Sequence, residues 1–410
     1  MLYTSTRIFT EQGLLDGGML VEDGIIKGFI PRSRIPTSIN CIDFQNRRVL
    51  PGLIEMHIHG YMGWKVDSDD PMQCQHLCDA LLTSGVTSFL PTTHLNVADS
   101  LKINPVWSQL KRDQTSGSRI LGISMEGPFI NKETLHFQKH VDAVEPCDPM
   151  QLQKIIDASN GDLKVMTLAP ELPNALQLIH QLVQNGIKAS MGHTMATYDE
   201  AMKGFEAGIS ITQKTGNCMG KMHQRGMNAI GASLLNRDVM NEIISDGQTN
   251  SLDFMELCYR LKGSDHLCIV SDDSIMSGMR PGIYDMENEK GNHYVVSDDG
   301  TLYYEGIPDG GSLHMLHGLK VWVEKLHIPI EDAIRMSSYN QAKFLGIDTE
   351  YGSLKEEKIA DFIVIDDDYR IINVYQNGDL KFDGTHVERY ENCDYSRRYK
   401  APLHNEGAKL

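Results

Sequence analysis

The sequence contains no long apolar segment and no excess of basic residues. No stretch of the 410 residues is long and apolar enough to cross a bilayer, and we expect no signal peptide at the start. Lysine and arginine together number 38, against 55 aspartate and glutamate residues, so the net charge is −17. A surface this acidic argues against nucleic acid or an anionic membrane as the main partner. We therefore expect a cytoplasmic protein whose partner is a small molecule.

Cysteine is also sparse, and its spacing shows no framework. The eight cysteines are scattered without a repeating interval, which predicts reduced thiols in a cytoplasmic protein rather than a set of disulfides. Cys74 and Cys78 lie four residues apart on a predicted helix, where a metal pair is conceivable. We favour the interpretation that both are small apolar core residues.

An internal repeat, a low-complexity segment and a glycine-rich dinucleotide fingerprint are absent as well. Apolar runs of strand length alternate with helical segments over most of the chain; the eight runs are VLPGLIEMHIH, VTSFLPTTH, RILGISMEG, LKVMTLAPE, IKASMGHT, ISITQKTGN, NEIISDG and HLCIVSDD. Continuous apolar runs are typical of strands buried on both faces of a parallel sheet. The alternation predicts an α/β fold with a (β/α)8 TIM-like barrel over residues 51–354. A doubly wound open sheet is the alternative, which the missing fingerprint disfavours.

The segments between the runs carry helix signals. Asp70 and Pro71 are typical of the start of a helix, and Gly85 of the position just past its end. Thr197 and Glu200 form a predicted capping box for a second helix, which should stop at Gly208.

The two ends of the chain have a different pattern. Residues 1–50 and 355–395 contain short β-type runs separated by turns, and we predict that both ends together form one small β-sandwich domain. Residues 396–410 show no periodicity and are interpreted as a tail.

Polar side chains follow several of the apolar runs at the point where each predicted strand ends. They are His57 and His59 on the first strand, Glu126 on the third, His193 on the fifth and Asp272 on the eighth. In such a barrel the carboxyl ends of the strands converge on one mouth, and imidazole with carboxylate suits Zn²⁺, Fe²⁺ or Mn²⁺. Taken singly, each residue has an ordinary structural explanation. On the eighth strand, the neighbouring Asp273 is an alternative to Asp272 as the ligand. The set as a whole predicts a metal site.

The motifs that carry these residues resemble the N-acetylglucosamine-6-phosphate deacetylases of the amidohydrolase superfamily. The matching segments are PGLIEMHIHG (51–60), SMEGPFIN (124–131), MGHTMATYDEA (191–201), AIGASLL (229–235), EIISDG (242–247), CIVSDD (268–273) and NQAKFLGIDTEYGSLKEEKIADFIVID (340–366). The resemblance spans nearly the whole chain in the same order. It implies a TIM-like barrel with a small β domain, metal-dependent hydrolysis of an acetamide and a homodimer. It also identifies His57 and His59 with the metal pair of the first strand.

Three histidines that the resemblance leads one to expect are replaced in this chain. Gln213 stands where a strand-six metal ligand is expected, in a segment one residue longer, and Gln138 where a contact to the acetyl carbonyl is expected. Thr249 stands where a histidine would reach the neighbouring subunit's phosphate. A neutral glutamine holds Zn²⁺ less well than imidazole. We therefore expect one strongly held divalent metal per subunit, on His57, His59, Glu126 and Asp272, while a second position on Glu126, His193 and Gln213 is weakened.

The same residues suggest a mechanism and a substrate. Asp272 is the predicted general base and later the acid for the departing amine, and Gln138 is a predicted donor to the oxyanion. A basic cluster of Lys214, Lys221, His223 and Arg225 would suit a phosphate, and the resemblance adds Asn217 and Cys218; a solvated loop is the alternative. We predict a deacetylase of an N-acetylated amino-sugar phosphate. The alternatives are a hydrolase of another N-acyl substrate and a non-catalytic sugar-phosphate-binding barrel.

Overall fold

The computed structural model describes residues 1–135, 138–285, 293–298, 300–311 and 313–384. The strands in chain order are β1 (Leu2–Thr10), β2 (Gly13–Glu22), β3 (Ile25–Pro31), β4 (Cys41–Asp43), β5 (Arg48–Pro51), β6 (Leu53–Ile58), β7 (Gly60–Tyr61), β8 (Trp64–Lys65), β9 (Val86–Thr93), β10 (Arg119–Ile120), β11 (Ile123–Glu126), β12 (Leu163–Leu168), β13 (Lys188–Met191), β14 (Ile209–Thr212), β15 (Met240–Ile244), β16 (Leu267–Val270), β17 (Gly282–Asp285), β18 (His293–Val296), β19 (Leu302–Tyr304), β20 (Ile307–Pro308), β21 (Phe362–Ile365), β22 (Ile371–Gln376) and β23 (Asp379–Asp383).

The helices in chain order are α1 (Pro71–Leu82), α2 (Val97–Asp113), α3 (Gln138–Val141), α4 (Pro149–Ala158), α5 (Ala175–Gln184), α6 (Tyr198–Ala207), α7 (Asn228–Leu235), α8 (Leu252–Lys262), α9 (Met315–Glu324), α10 (Ile330–Ile334) and α11 (Asn340–Leu345). Within the described ranges, no helix combines the length and the apolar character that crossing a membrane requires.

The predicted barrel is confirmed. Within the described residues, eight strands pair in parallel in the order β6, β9, β11, β12, β13, β14, β15 and β16. The first and last of them meet at their carboxyl ends, where the Asp272 amide donates to the His57 carbonyl at 3.0 Å and the His59 amide to the Asp273 carbonyl at 2.8 Å. This contact nearly closes the barrel and makes the alternative of an open sheet wrong.

The barrel strands form where the apolar runs lie. Every residue of β6 and of β9 is buried, as expected for strands covered on both faces. The predicted helix signals are also present: the Asp70 side chain caps α1, which starts at Pro71. Thr197 and Glu200 form the capping box of α6, which ends before Gly208 with φ of 123°.

Both ends of the chain contribute to one further sheet. Strands β1–β5 and β21–β23 are joined by hydrogen bonds into a single sheet with its own apolar cluster, in which Phe362 stacks on Tyr375 with ring centroids 4.4 Å apart. A small β domain built from both termini is thus present. The predicted boundary at 395 and the predicted tail 396–410 lie outside the described residues.

The sequence analysis did not predict a four-stranded sheet that follows β16. Strands β17–β20 form it between β16 and α9, and the Gly311 amide behind it donates to the Asp272 carbonyl at 2.8 Å. The seven described cysteines are free thiols, and Cys74 and Cys78 are buried in the main core as expected for apolar residues.

Candidate metal centre and active site

The polar residues at the strand ends converge on the mouth of the barrel. His57 and His59 lie at the end of β6, Glu126 at the end of β11, and Asp272 two residues past β16. One ligand atom from each of these four residues lies within 4.8 Å of the other three. The loop conformation helps to aim Asp272, whose φ of 53° turns the chain sharply after the strand. Of the six residues predicted as metal ligands, these four form one ligand group, and His193 contacts Glu126 beside it.

Each imidazole of this group is oriented by a partner behind it. His57 Nδ1 lies 3.1 Å from Glu242 Oε2, and His59 Nδ1 lies 2.9 Å from the carbonyl oxygen of Thr92. An acceptor at Nδ1 fixes the proton there and leaves Nε2 with a free lone pair. The two Nε2 atoms are 3.3 Å apart and face the same point.

The carboxylates complete the donor set around that point. Glu126 Oε2 lies 3.1 Å from His57 Nε2 and 3.0 Å from His59 Nε2. Asp272 Oδ1 lies 3.0 Å and 3.4 Å from the same two nitrogens. This oxygen is buried, and the geometry of its contacts does not satisfy a hydrogen bond. A buried, unpaired carboxylate oxygen beside two imidazole lone pairs fits a divalent cation. Two nitrogens and two oxygens are a common ligand set for Zn²⁺.

The electrostatics of the group favour positive charge. Burial opposes protonation of His59, but the adjacent carboxylates of Asp272 and Glu126 outweigh burial and raise the pKa of this imidazole to about 9. Burial also opposes ionisation of Glu126 and Asp272, yet Lys214 and the neighbouring histidines hold the pKa of both carboxyls well below the usual range. A divalent cation supplies the same positive charge in place of protons.

Lys214 lies in this group as well. Its Nζ is 2.9 Å from Glu126 Oε1 and 3.5 Å from Asp272 Oδ2, and the residue is 7% exposed. The sequence analysis assigned Lys214 to a phosphate-binding cluster. In the structure its ammonium group instead contacts the two carboxylates of the predicted metal site, because Lys214 turns inward after β14 with φ of 30°. We call His57, His59, Glu126, His193, Lys214 and Asp272 the strand-end cluster.

His193 and Gln213 are placed differently from each other. Thr134 Oγ1 donates to the Asn131 carbonyl and accepts from His193 Nδ1 at 3.1 Å, so His193 Nε2 faces Glu126 Oε1 as an unprotonated nitrogen. Burial, together with Lys214, lowers the pKa of His193 to about 4, although Glu126 opposes this shift. Gln213 is buried, and its Oε1 has no hydrogen-bond partner within the described residues. Gly192 packs closely against this side chain, since a Cβ atom on Gly192 would lie only 2.9 Å from Gln213 Oε1.

Two residues near the cluster were not predicted. His94 follows β9, with Nδ1 3.8 Å from Glu126 Oε1; its ring packs against that of His140 at a centroid distance of 4.6 Å, with the planes tilted by 35°. Glu242 lies in the middle of β15 and orients His57. The signals were present: His94 is polar at a strand end like the predicted residues, and Glu242 is a charged residue inside a buried strand.

The remaining predicted substrate residues lie on three segments: the loop that follows β14, the segment after β15 and the start of α3. Lys221, His223 and Arg225 are exposed on this loop, whereas Asn217 and Cys218 are partly buried nearer its start. Thr249 Oγ1 donates to Asp246 at 2.6 Å. Gln138 begins α3, and its side chain lies outside the described residues, as does the neighbouring His136.

Comparison with known proteins gives consistent results. Residues 48–387 match the amidohydrolase family. The chain is 29% identical over 390 residues to an N-acetylglucosamine-6-phosphate deacetylase of Bacillus subtilis, covering 93% of this chain and 97% of that one. It is 31% identical over 353 residues to the enzyme of the same name from Vibrio furnissii, covering 84% and 85%. The crystal structure of N-acetylglucosamine-6-phosphate deacetylase from Pasteurella multocida superposes with a TM-score of 0.82 at 27% identity, covering 93% and 99%.

Proposed function

Because the chain belongs to the amidohydrolase family, we propose that it is a metal-dependent hydrolase that removes the acetyl group from an N-acetylated amino-sugar phosphate. The observation that carries this proposal is the convergence of His57, His59, Glu126 and Asp272 within 4.8 Å at the mouth of the barrel. The near-full-length similarity to deacetylases that are named for N-acetylglucosamine-6-phosphate supports the substrate class. The family and the fold predicted from the sequence are thereby confirmed.

The metal would be held by the Nε2 atoms of His57 and His59 together with Glu126 Oε2 and Asp272 Oδ1. We expect one strongly held ion per subunit, with Zn²⁺ first and Fe²⁺ or Mn²⁺ as alternatives, because imidazole and carboxylate suit all three. When bound, such an ion activates water as a nucleophile at neutral pH and polarises the acetamide carbonyl.

Asp272 is the proton carrier of this proposal. Its carboxylate lies at the open end of the barrel, and Lys214 and His57 hold it in the ionised form that can accept a proton. We assign to it the removal of a proton from the attacking water and the return of that proton to the departing amine. The second transfer matters because an unprotonated amine is a poor leaving group. Gln138 remains the predicted hydrogen-bond donor to the acetyl oxygen.

The phosphate of the substrate is assigned to the loop after β14. Lys221, His223 and Arg225 are its exposed basic groups, in a protein whose overall charge is −17. Asn217 and Cys218, partly buried at the start of this loop, are proposed to contact the phosphate or the sugar. We further propose that Thr249 faces the substrate, that the protein is a homodimer and that it is cytoplasmic.

The test is release of amine and acetate over a panel of N-acyl amino sugars, with and without the 6-phosphate, together with metal analysis of the same preparation. We expect turnover of N-acetylglucosamine-6-phosphate or an epimer of it, and little turnover of the sugar that lacks phosphate. Turnover of another N-acyl compound only would favour the alternative hydrolase. Binding of the sugar phosphate without release of product would favour the non-catalytic barrel.

A further inference from the structure

The two carboxylates of the strand-end cluster each divide their oxygens between two sides. Glu126 directs Oε2 at His57 and His59, and directs Oε1 at Lys214 Nζ and His193 Nε2. Asp272 directs Oδ1 at the same two histidines and Oδ2 at Lys214 Nζ. One side therefore consists of two imidazole nitrogens and two carboxylate oxygens, while the other contains a cation of the chain itself, the Lys214 ammonium group.

From this division we infer that the Lys214 ammonium group takes the place of a second metal ion, so that the site binds a single divalent ion. The inference deepens the proposed function and rests on it. A second ion would be held by Glu126 Oε1, Asp272 Oδ2 and His193 Nε2, and the two oxygens of this set are those that Lys214 Nζ contacts at 2.9 Å and 3.5 Å. The ammonium group and a second ion cannot occupy that position together.

The backbone around Lys214 places it there rather than in solvent. The Lys214 amide faces Glu242 Oε2 at 3.3 Å, and the Thr215 amide donates to the Glu242 carbonyl at 2.8 Å. The Asn217 amide then donates back to the Lys214 carbonyl at 2.9 Å, which closes a turn. The carboxylates of Glu126 and Asp272 then compensate the almost fully buried ammonium group, because a desolvated charge without partners is costly.

The charge of the groups in direct contact agrees with a single divalent ion. Glu126, Asp272 and Glu242 contribute three negative charges, and Lys214 contributes one positive charge, which leaves two negative charges. One divalent ion neutralises them. With the ammonium group counted, a second divalent ion would leave a net buried excess of two positive charges, which a low-dielectric interior opposes.

The experiment is the metal content of the full-length protein after dialysis against excess Zn²⁺ and then against metal-free buffer. We expect one equivalent in the wild type, one in Lys214→Arg and two in Lys214→Met. In Lys214→Met, Glu126 Oε1 and Asp272 Oδ2 lose their contact with the ammonium group and can act as ligands together with His193 Nε2. Lys221→Met is the matched control, because it removes the same charge from the exposed part of the same loop, and it should keep one equivalent. Loading with Mn²⁺ gives a second readout by electron paramagnetic resonance. A pair of ions in Lys214→Met should produce an exchange-coupled spectrum, whereas a single ion in the wild type should not.

The outcomes separate this inference from the proposed function. One equivalent in both the wild type and Lys214→Met, or two in the wild type, would overturn the role of Lys214 and leave the metal-dependent hydrolase intact. A wild type that retains no metal and is fully active would instead overturn the proposed function. Should Lys214→Met fail to fold, Lys214→Gln replaces it under the same criteria. Failure of both to fold with Zn²⁺ in excess would also contradict the inference, because the second ion should replace the lost charge.

Discussion

The β6 side and the β14 side of the strand-end cluster share the same two carboxylates but are built in different ways. On the β6 side, His57 and His59 each have an acceptor behind Nδ1 and a free Nε2 in front. On the β14 side, Lys214 supplies a fixed cation, and the buried carbonyl oxygen of Gln213 has no hydrogen-bond partner within the described residues. The difference shows that charge as well as geometry decides where a metal ion can bind. The β6 side offers ligand atoms that suit a cation, whereas the β14 side already contains the cation of Lys214.

The largest effect is expected where both sides meet, at Asp272. Asp272→Asn should keep the fold and much of the metal but lower turnover roughly 10²–10⁴-fold, because an amide cannot accept and return a proton. Steady-state rates and metal content on the same sample measure both effects. Asp273→Asn is the matched control, since that carboxyl contacts Ser271 and Ser277 instead of the cluster. Near-native turnover in Asp272→Asn would show that Asp272 is not the base and would make Asp273 the candidate.

An intermediate effect is expected behind the β6 side. Glu242→Gln keeps an acceptor for His57 Nδ1 but removes its charge, and we expect metal affinity to fall roughly 10-fold, the lower end of the range for partners of metal-bound histidines. Competition of the protein with a chelator for Zn²⁺ gives the affinity. Asp246→Asn, just past the end of the same strand, should leave the affinity unchanged. Equal affinities of wild type and Glu242→Gln would mean that Glu242 does not tune the site.

The smallest effect is expected at Gln213. A histidine at this position adds an imidazole to the β14 side, and on sequence alone the variant should bind a second equivalent of Zn²⁺ or hold the existing one more tightly. With the Lys214 ammonium group present, we expect Gln213→His to keep one equivalent, and only the double variant with Lys214→Met to reach two. Zinc titration of the single and double variants compares them directly. A second equivalent in Gln213→His alone would show that Lys214 does not exclude the second ion.

Much of this arrangement could be predicted from the sequence because it follows from local patterns. The apolar runs fix the barrel strands, and the side chains at their carboxyl ends, such as His57 and Asp272, must face one mouth. Caps such as Asp70 and the Thr197–Glu200 pair depend only on neighbouring residues, so they were predicted correctly. The resemblance to the deacetylases added the order of the motifs.

The rest depends on loop geometry and on contacts distant in the chain. Lys214 was expected near a phosphate. The turn after β14, in the segment that is one residue longer than expected, instead directs its ammonium group inward to Glu126. The role of Glu242 required knowledge that β15 passes behind His57, although the two residues are 185 positions apart. The sheet of β17–β20 is an insertion after the last barrel strand, where the repeating pattern no longer guides prediction.

The central claim is that a single metal ion on the β6 side supports deacetylation. The most direct measurement is a titration of chelator-treated protein with Zn²⁺ while the initial rate of acetate release from N-acetylglucosamine-6-phosphate is recorded. We expect a rate near zero without metal, a linear rise to one equivalent and a plateau beyond it. Full activity in the metal-free protein, or a rise that continues to two equivalents, would contradict it.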